Sequence, residues 1–332
     1  MQTRRLGKTG PEVSAIGLGA MGMSDFYGPA DRTESLATIR AAADAGITLI
    51  DTGDLYGMGH NEMLIGEALR SGVPRDQLVL SVKFGALRGP GNEFLGHDGR
   101  PKAVKTSLAY TLQRLGVDHI DIYRPARVDP DVPIEDTIGA IAEMVQAGYV
   151  RHIGLSEVGS ETIRRAAAVH PIVDLQIEYS LIARSIEDSI LPTCRELGIG
   201  ITAYGVLARG LIGGHMTGLS GAAGDFRGFT PRFQGENLQK NLALAEALAG
   251  AAKAAGLTTA QAAIAWVAAQ GPDIVPLVGA RRRDRLTEAL GALDASLSPQ
   301  ALAAIEAAVP KGAAVGDRYP AMQMAHLDSE RG

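Results

Sequence analysis

Short apolar runs alternate along the chain with longer stretches in which apolar residues recur every three or four positions. Eight runs, at residues 13–17, 48–51, 78–83, 120–123, 153–156, 174–178, 200–204 and 274–278, read as buried strands. Between and after them the helical period appears at 32–45, 103–115, 133–147, 161–168, 283–290 and 298–308. Continuously apolar strands separated by crossover-length helices predict a parallel sheet covered on its outside, and eight of them predict a closed (β/α)8 TIM barrel. Two stretches depart from the alternation. Residues 205–237 are long and glycine-rich, which marks a functional loop or, alternatively, a disordered insertion. The opening Arg4-Arg5-Leu6-Gly7 suggests a small hairpin ahead of the first strand.

Length and charge narrow the class. The 332 residues, 46% hydrophobic, exceed the roughly 250 typical of such a barrel and leave room for added loops on one domain spanning 1–332. A net charge of -5 without a basic block gives no footprint for nucleic acid, and Arg281-Arg282-Arg283 is too short to supply one. No apolar run approaches the ~20 residues of a membrane span, and Met1 leads straight into polar residues, so a cytoplasmic protein acting on a small molecule is expected. Its single cysteine, Cys194, lies in a helical pattern and suits packing in a reduced compartment; no metal site can be built on it. Oligomeric state does not follow from these features.

Candidate chemistry gathers where apolar runs end. Residues 46–50 lead into Asp51-Thr52-Gly53-Asp54-Leu55-Tyr56-Gly57, and the run at 78–82 ends in Lys83. A lysine closing a buried strand is unusual unless it is used. A carboxylate can hold the ammonium in place, and the ammonium is expected to lower the pKa of a nearby phenol, making a proton donor for a carbonyl. Singly, each residue also fits a structural role: Asp51 as a cap, Tyr56 as packing, Lys83 reaching to water.

The string DTGDLYG followed by GHNE, with VKFG further on, resembles the aldo-keto reductase superfamily, and the likeness runs along nearly the whole chain. The resemblance implies a barrel enzyme in which Asp51, Tyr56 and Lys83 are catalytic and NADPH/NADP+ is the cofactor. It implies a hairpin plugging the barrel floor, and a C-terminal tail lining the substrate pocket with Met21 and the 126–127 turn. By the same resemblance Ser156 and Gln176 hydrogen-bond the nicotinamide carboxamide, Tyr204 stacks on its ring, and the long loop with Leu207 and Gly210 folds over the cofactor. Past the last strand, Gly279, Arg281, Arg282, Arg285 and Glu288 would surround the adenosine 2'-phosphate, for which arginines at a helix N-terminus are suited. The alternative, a solvated helix start, remains. A rival fingerprint, Gly17-Leu18-Gly19-Ala20-Met21-Gly22, matches GxGxxG, but helical periodicity resumes only at Arg32, so these glycines are expected to form a loop at the barrel mouth.

The chain departs from the pattern in three places. Ala289 and Glu157 stand where the resemblance expects asparagines, which implies weaker adenine contacts and one changed carboxamide contact. Ala126, fixed in register by Asp121-Ile122-Tyr123 and Arg127-Val128-Asp129-Pro130, stands where a histidine usually donates to the substrate carbonyl. That loss implies either weak activity on simple aldehydes or space for a bulkier ketone or secondary alcohol beside Arg127. It also keeps open a different class, a cofactor-binding sensing subunit resembling potassium-channel β-subunits.

Overall fold

A computed structural model describes residues 1–219, 221 and 224–331. The chain opens with the antiparallel hairpin β1 (Thr3–Arg5) and β2 (Glu12–Ser14), followed by β3 (Gly17–Gly19), α1 (Arg32–Asp44), β4 (Leu49–Gly53), α2 (His60–Arg70) and β5 (Val79–Phe84). A second hairpin, β6 (Ala86–Arg88) and β7 (Phe94–His97), precedes α3 (Pro101–Leu115). Then come β8 (Ile120–Pro125), α4 (Ile134–Gln146), β9 (Val150–Ser156), α5 (Ser160–Val169), β10 (Ile172–Glu178), α6 (Ile190–Leu197) and β11 (Gly200–Tyr204). The chain continues through α7 (Gly235–Ala254), α8 (Thr259–Ala269), β12 (Ile274–Gly279), α9 (Arg283–Leu290), α10 (Pro299–Ala308) and the short α11 (Ala321–Met324). Strands β3, β4, β5, β8, β9, β10, β11 and β12 pair in parallel and close into a barrel, the (β/α)8 fold the alternation predicts.

The first strand was expected at 13–17 and lies elsewhere. Val13 belongs to the hairpin, and the barrel strand is Gly17–Gly19, hydrogen-bonded to Leu277–Gly279 on one side and to Ile50 and Asp51 on the other. Val13 is apolar because it plugs the floor: with Leu6 it packs inside the barrel against Leu49, Ile122, Val173, Val275 and Leu277. Gly17 and Gly19 are therefore strand residues, not a mouth loop. A Cβ on Gly17 would meet Leu49 and Leu277 at 2.9 and 3.0 Å, which explains a glycine there without any phosphate. A closed barrel also disposes of the dinucleotide fingerprint, which needs an open sheet.

Inward-facing residues alternate along each strand, so the barrel fills in layers. Above the apolar floor lies a polar layer. Arg124, fully buried, donates to Asp174 at 2.9 Å and to Ser81 Oγ at 2.8 Å, and Thr202 also donates to Asp174. Gly154 makes room for this pair, since a Cβ there would lie 2.6 Å from Asp174 Oδ1. The next layer up is the C-terminal mouth.

Candidate active site

Asp51 pairs in register with Ser81, and Lys83 lies two residues further along β5, so both side chains enter the barrel one above the other. Lys83 Nζ is ion-paired with Asp51 Oδ1 and donates to Gln176 Oε1 at 2.8 Å. Asp51 Oδ2 accepts from Ser81 Oγ at 2.8 Å and from Gln176 Nε2 at 2.7 Å. Gln176, expected beside the carboxamide, thus reaches across from β10 and uses both ends of its amide on the Asp51–Lys83 pair. Tyr56 is buried on the turn after β4, and the Lys83 ammonium lies over its ring, 5.2 Å from the centroid.

The electrostatics differ from the expectation. Burial pushes the Tyr56 phenol well above its usual pKa, Asp51 adds to the rise, and the cation that opposes it is Arg127. Lys83 is pushed down to about 8 by burial, against the pull of Asp51. The ammonium that was to lower the phenol is thus largely compensated by its carboxylate, and desolvation dominates. Asp54 lies behind the site with Oδ1 unpartnered; burial and then Glu62 push it up to about 7.

Ser156, at the end of β9, is in register with Gln176, and Tyr204, at the end of β11, is in register with Glu178. Ala126 is buried at the end of β8, and Arg127 beside it donates to Ala126 O at 2.6 Å and Ser156 Oγ at 3.4 Å. Met21 opens a short helical turn after β3. His97, the last residue of β7, is a mouth residue that sequence reasoning passed over; burial and then Arg127 hold its pKa down to about 4, so its ring is neutral.

The C-terminal tail is latched to the mouth by charge. Glu157, in the left-handed region with φ 54° and fully buried, is ion-paired with Arg318 through both oxygens. It also accepts from Tyr204 Oη and Ser329 Oγ, each at 2.7 Å, and from Glu178 N at 3.0 Å. Burial alone would raise this carboxyl, but Arg318 holds it far below the usual range. Arg318 further reaches Glu178 at 3.3 Å and Glu330 at 2.8 Å, while Tyr319 Oη lies 2.9 Å from Tyr204 Oη with the Arg209 guanidinium over its ring.

The segment after β11 is longer than a connector and is not plain loop. Short turns at Ala208–Gly210, Phe226–Phe229 and Pro231–Phe233 structure it, α7 starts at Gly235, and Ser220, Ala222 and Ala223 lie outside the described residues. Leu207 O accepts from Gly210 N at 2.9 Å, and Ala208 and Arg209 both take positive φ, a strained pair for non-glycine residues. Phe226 N donates to Phe26 O at 3.0 Å, tying the segment to the loop after β3.

Beyond β12 the arginines are engaged. Arg281 precedes the helix and donates to the carbonyls of Tyr27 and Pro29; Arg282 pairs with Asp284 and Arg283 with Glu34. Arg285 pairs with Glu288 at 3.2 Å, and His215 joins both, 2.7 Å from Glu288. His215, 70 residues away in sequence, carried no local signal. Gly279 ends β12 with open space where a Cβ would stand.

A closed parallel barrel whose C-terminal mouth holds a carboxylate, a lysine and a buried phenol has the architecture of a barrel enzyme. Residues 15–310 match the model of the aldo/keto reductase family, and the chain belongs to this family of oxidoreductases. It is 42% identical over 320 residues to a probable aldo-keto reductase 1 from Glycine max, covering 96% of this chain and 92% of that one. Among solved structures it is similar to a glycerol dehydrogenase from Gluconobacter oxydans, with TM-score 0.83, 27% identity, and 98% and 96% of the two chains covered. A thermostable aldo-keto reductase solved with the inhibitor epalrestat is also similar, with TM-score 0.74, 29% identity, and coverage of 93% and 100%. Among the described residues no helix is long and apolar enough to cross a membrane.

Proposed function

We propose that this chain uses NADPH to reduce an aldehyde or ketone to the alcohol, reversibly, and that the substrate is a bulky carbonyl or, in reverse, a secondary alcohol. The observation that carries the reading is the Asp51–Lys83 ion pair beneath a buried Tyr56 at the C-terminal mouth. Tyr56 Oη gives its proton to the carbonyl oxygen as that oxygen becomes an alkoxide. Lys83, charged at neutral pH, stabilises the phenolate left behind, and Asp51 with Gln176 fixes the ammonium. The bound cofactor supplies the hydride.

The residues fit such a cofactor. Arg282 and Arg285 are 63% and 42% exposed in their present ion pairs, so they can exchange partners for a phosphate monoester at little cost. With Arg281, Glu288 and the open ground at Gly279 they would hold the adenosine 2'-phosphate. Ser156 and Tyr204 would bind the nicotinamide end, and Leu207 and Gly210 would line the edge nearest the long segment. The acid partners already on these arginines, exposed Asp284 and half-buried Glu288, set a limit on how strongly NADPH is preferred. An intact Asp51, Lys83 and Tyr56 favours catalysis over a sensing role. A cytoplasmic location belongs to the same proposal.

Turnover of NADPH against aldehydes, bulky ketones and quinones tests it. Tyr56→Phe is expected to lose at least roughly 100-fold in carbonyl reduction, the order of one positioned proton donor, with NADPH affinity nearly intact. Retention of most of the turnover would remove Tyr56 from the mechanism.

A further inference from the structure

The arginines around the mouth are matched to carboxylates. Arg88 lies 2.8 Å from Asp25, Arg209 3.2 Å from Glu178 and Arg227 2.6 Å from Asp225, while Arg318 sits between Glu157 and Glu178. Arg127 is different. It is half-buried, and its hydrogen bonds among the described residues go only to two neutral oxygens, Ala126 O and Ser156 Oγ, both from one terminal nitrogen. That leaves Nε and the second terminal nitrogen without a hydrogen-bond partner among the described residues. The acid nearest in sequence to Ser156 is Glu157, and its oxygens are already filled by Arg318, Tyr204, Ser329 and a backbone N–H. The ring of His97 is neutral, and Glu157 acts on Arg127 only through its field while its oxygens are committed elsewhere, so among the described residues no carboxylate pairs directly with this guanidinium.

A guanidinium cannot shed its proton to relieve burial, and leaving one desolvated without an anion is costly. We infer that Arg127 is the recognition group for an anionic substituent on the substrate, so that this enzyme prefers carbonyl compounds carrying a carboxylate or similar oxyanion a short way from the reacting carbonyl. The inference rests on the carbonyl-reductase reading given above. Ala126 adds to it, because a methyl group takes up little of the volume beside Arg127. The planar fork of Arg127 fits a carboxylate with two parallel donors. Since Ser156 is assigned to the nicotinamide end, the anion meeting Arg127 comes from the substrate and not from the cofactor's phosphates.

The test compares kcat/KM for 3- and 4-formylbenzoate with the matching formylbenzamides, which differ in charge and hardly in shape. Wild type is expected to favour at least one benzoate by roughly tenfold or more, the scale of a charge-assisted pair. Arg127→Met is expected to abolish that ratio, Arg127→Gln to do the same while keeping an N–H donor, and Arg127→Lys to retain part of it. Equal kcat/KM for acid and amide in the wild type overturns the inference, as does a variant in which both fall together with the ratio kept. Should no carbonyl be reduced at all, the reductase reading fails instead. Calorimetric titration of the full chain with 4-(hydroxymethyl)benzoate and its amide, with and without NADP+, then decides the inference: binding of the acid that is lost in Arg127→Gln upholds it, and equal binding of the two overturns it.

Discussion

Lys83 stands over the face of Tyr56, 5.2 Å from the ring centroid, while its ammonium is spent on Asp51 and on Gln176 at 2.8 Å. The phenol is held neutral by burial, and the lysine, pushed down to about 8, is the member of the pair that titrates near physiological pH. In the proposed mechanism, proton donor and electrostatic support are therefore separate groups with separate pH limits.

Carbonyl reduction is expected to be level below about pH 8 and to decline above it, because Lys83 then loses the charge that stabilises the tyrosinate formed in the transition state. The sign follows from a cation whose pKa lies below its usual value: the useful form is the protonated one, and it is lost as pH rises. Lys83→Met should remove this limb and cost roughly 100-fold in kcat. A wild-type profile flat to about pH 10 would show that the lysine charge is not used.

Arg285→Ala should weaken NADPH more than NADH, by roughly tenfold, since only the 2'-phosphate gains a charge-assisted bond from it. Fluorescence titration of both cofactors measures this. Because Glu288 and His215 already hold Arg285, the preference in the wild type should be smaller than an unpaired arginine would give. Equal dissociation constants for the two cofactors in the wild type would move the phosphate site elsewhere.

Ala126→His separates two meanings of the small residue. If the alanine only weakens catalysis, a restored donor should raise kcat/KM for small aldehydes and bulky ketones alike, by up to ~100-fold or more. If it provides room, the same change should help a small aldehyde and hurt a polycyclic ketone. The second outcome is expected, given the intact Asp51, Lys83 and Tyr56; a parallel rise for both substrates would reject it.

Removing the charge of Arg318 should destabilise the protein by about 3–5 kcal/mol, because Arg318→Met leaves Glu157 buried without its counter-ion. Urea unfolding reads the loss. The double variant Glu157→Gln/Arg318→Met should recover much of it. If the single variant unfolds at the wild-type midpoint, the latch is not closed in solution.

The barrel was legible because its parallel strands are buried on both faces and read as plain apolar runs, such as 120–123 and 200–204. Val13 misled for the same reason: it is just as buried, but inside the floor. Asp51, Tyr56 and Lys83 stood out as polar residues ending such runs. What the sequence could not show was pairing at long range. Glu157 meets Arg318 across 161 positions, Arg285 meets His215 across 70, and Gln176 meets Asp51 across 125. No local periodicity encodes such contacts. The direction of the Tyr56 shift was misjudged because proximity to a lysine is visible in a sequence, whereas the depth of burial that outweighs it is not.

Residues 318–330 come after every strand and helix of the barrel proper, yet they neutralise a buried carboxylate at its mouth. During synthesis the eight strands can assemble while Glu157 still lacks its arginine, so the growing chain carries an unmatched charge in the mouth until translation has passed the tail. Nascent chains are therefore expected to close the barrel before the proposed site is complete.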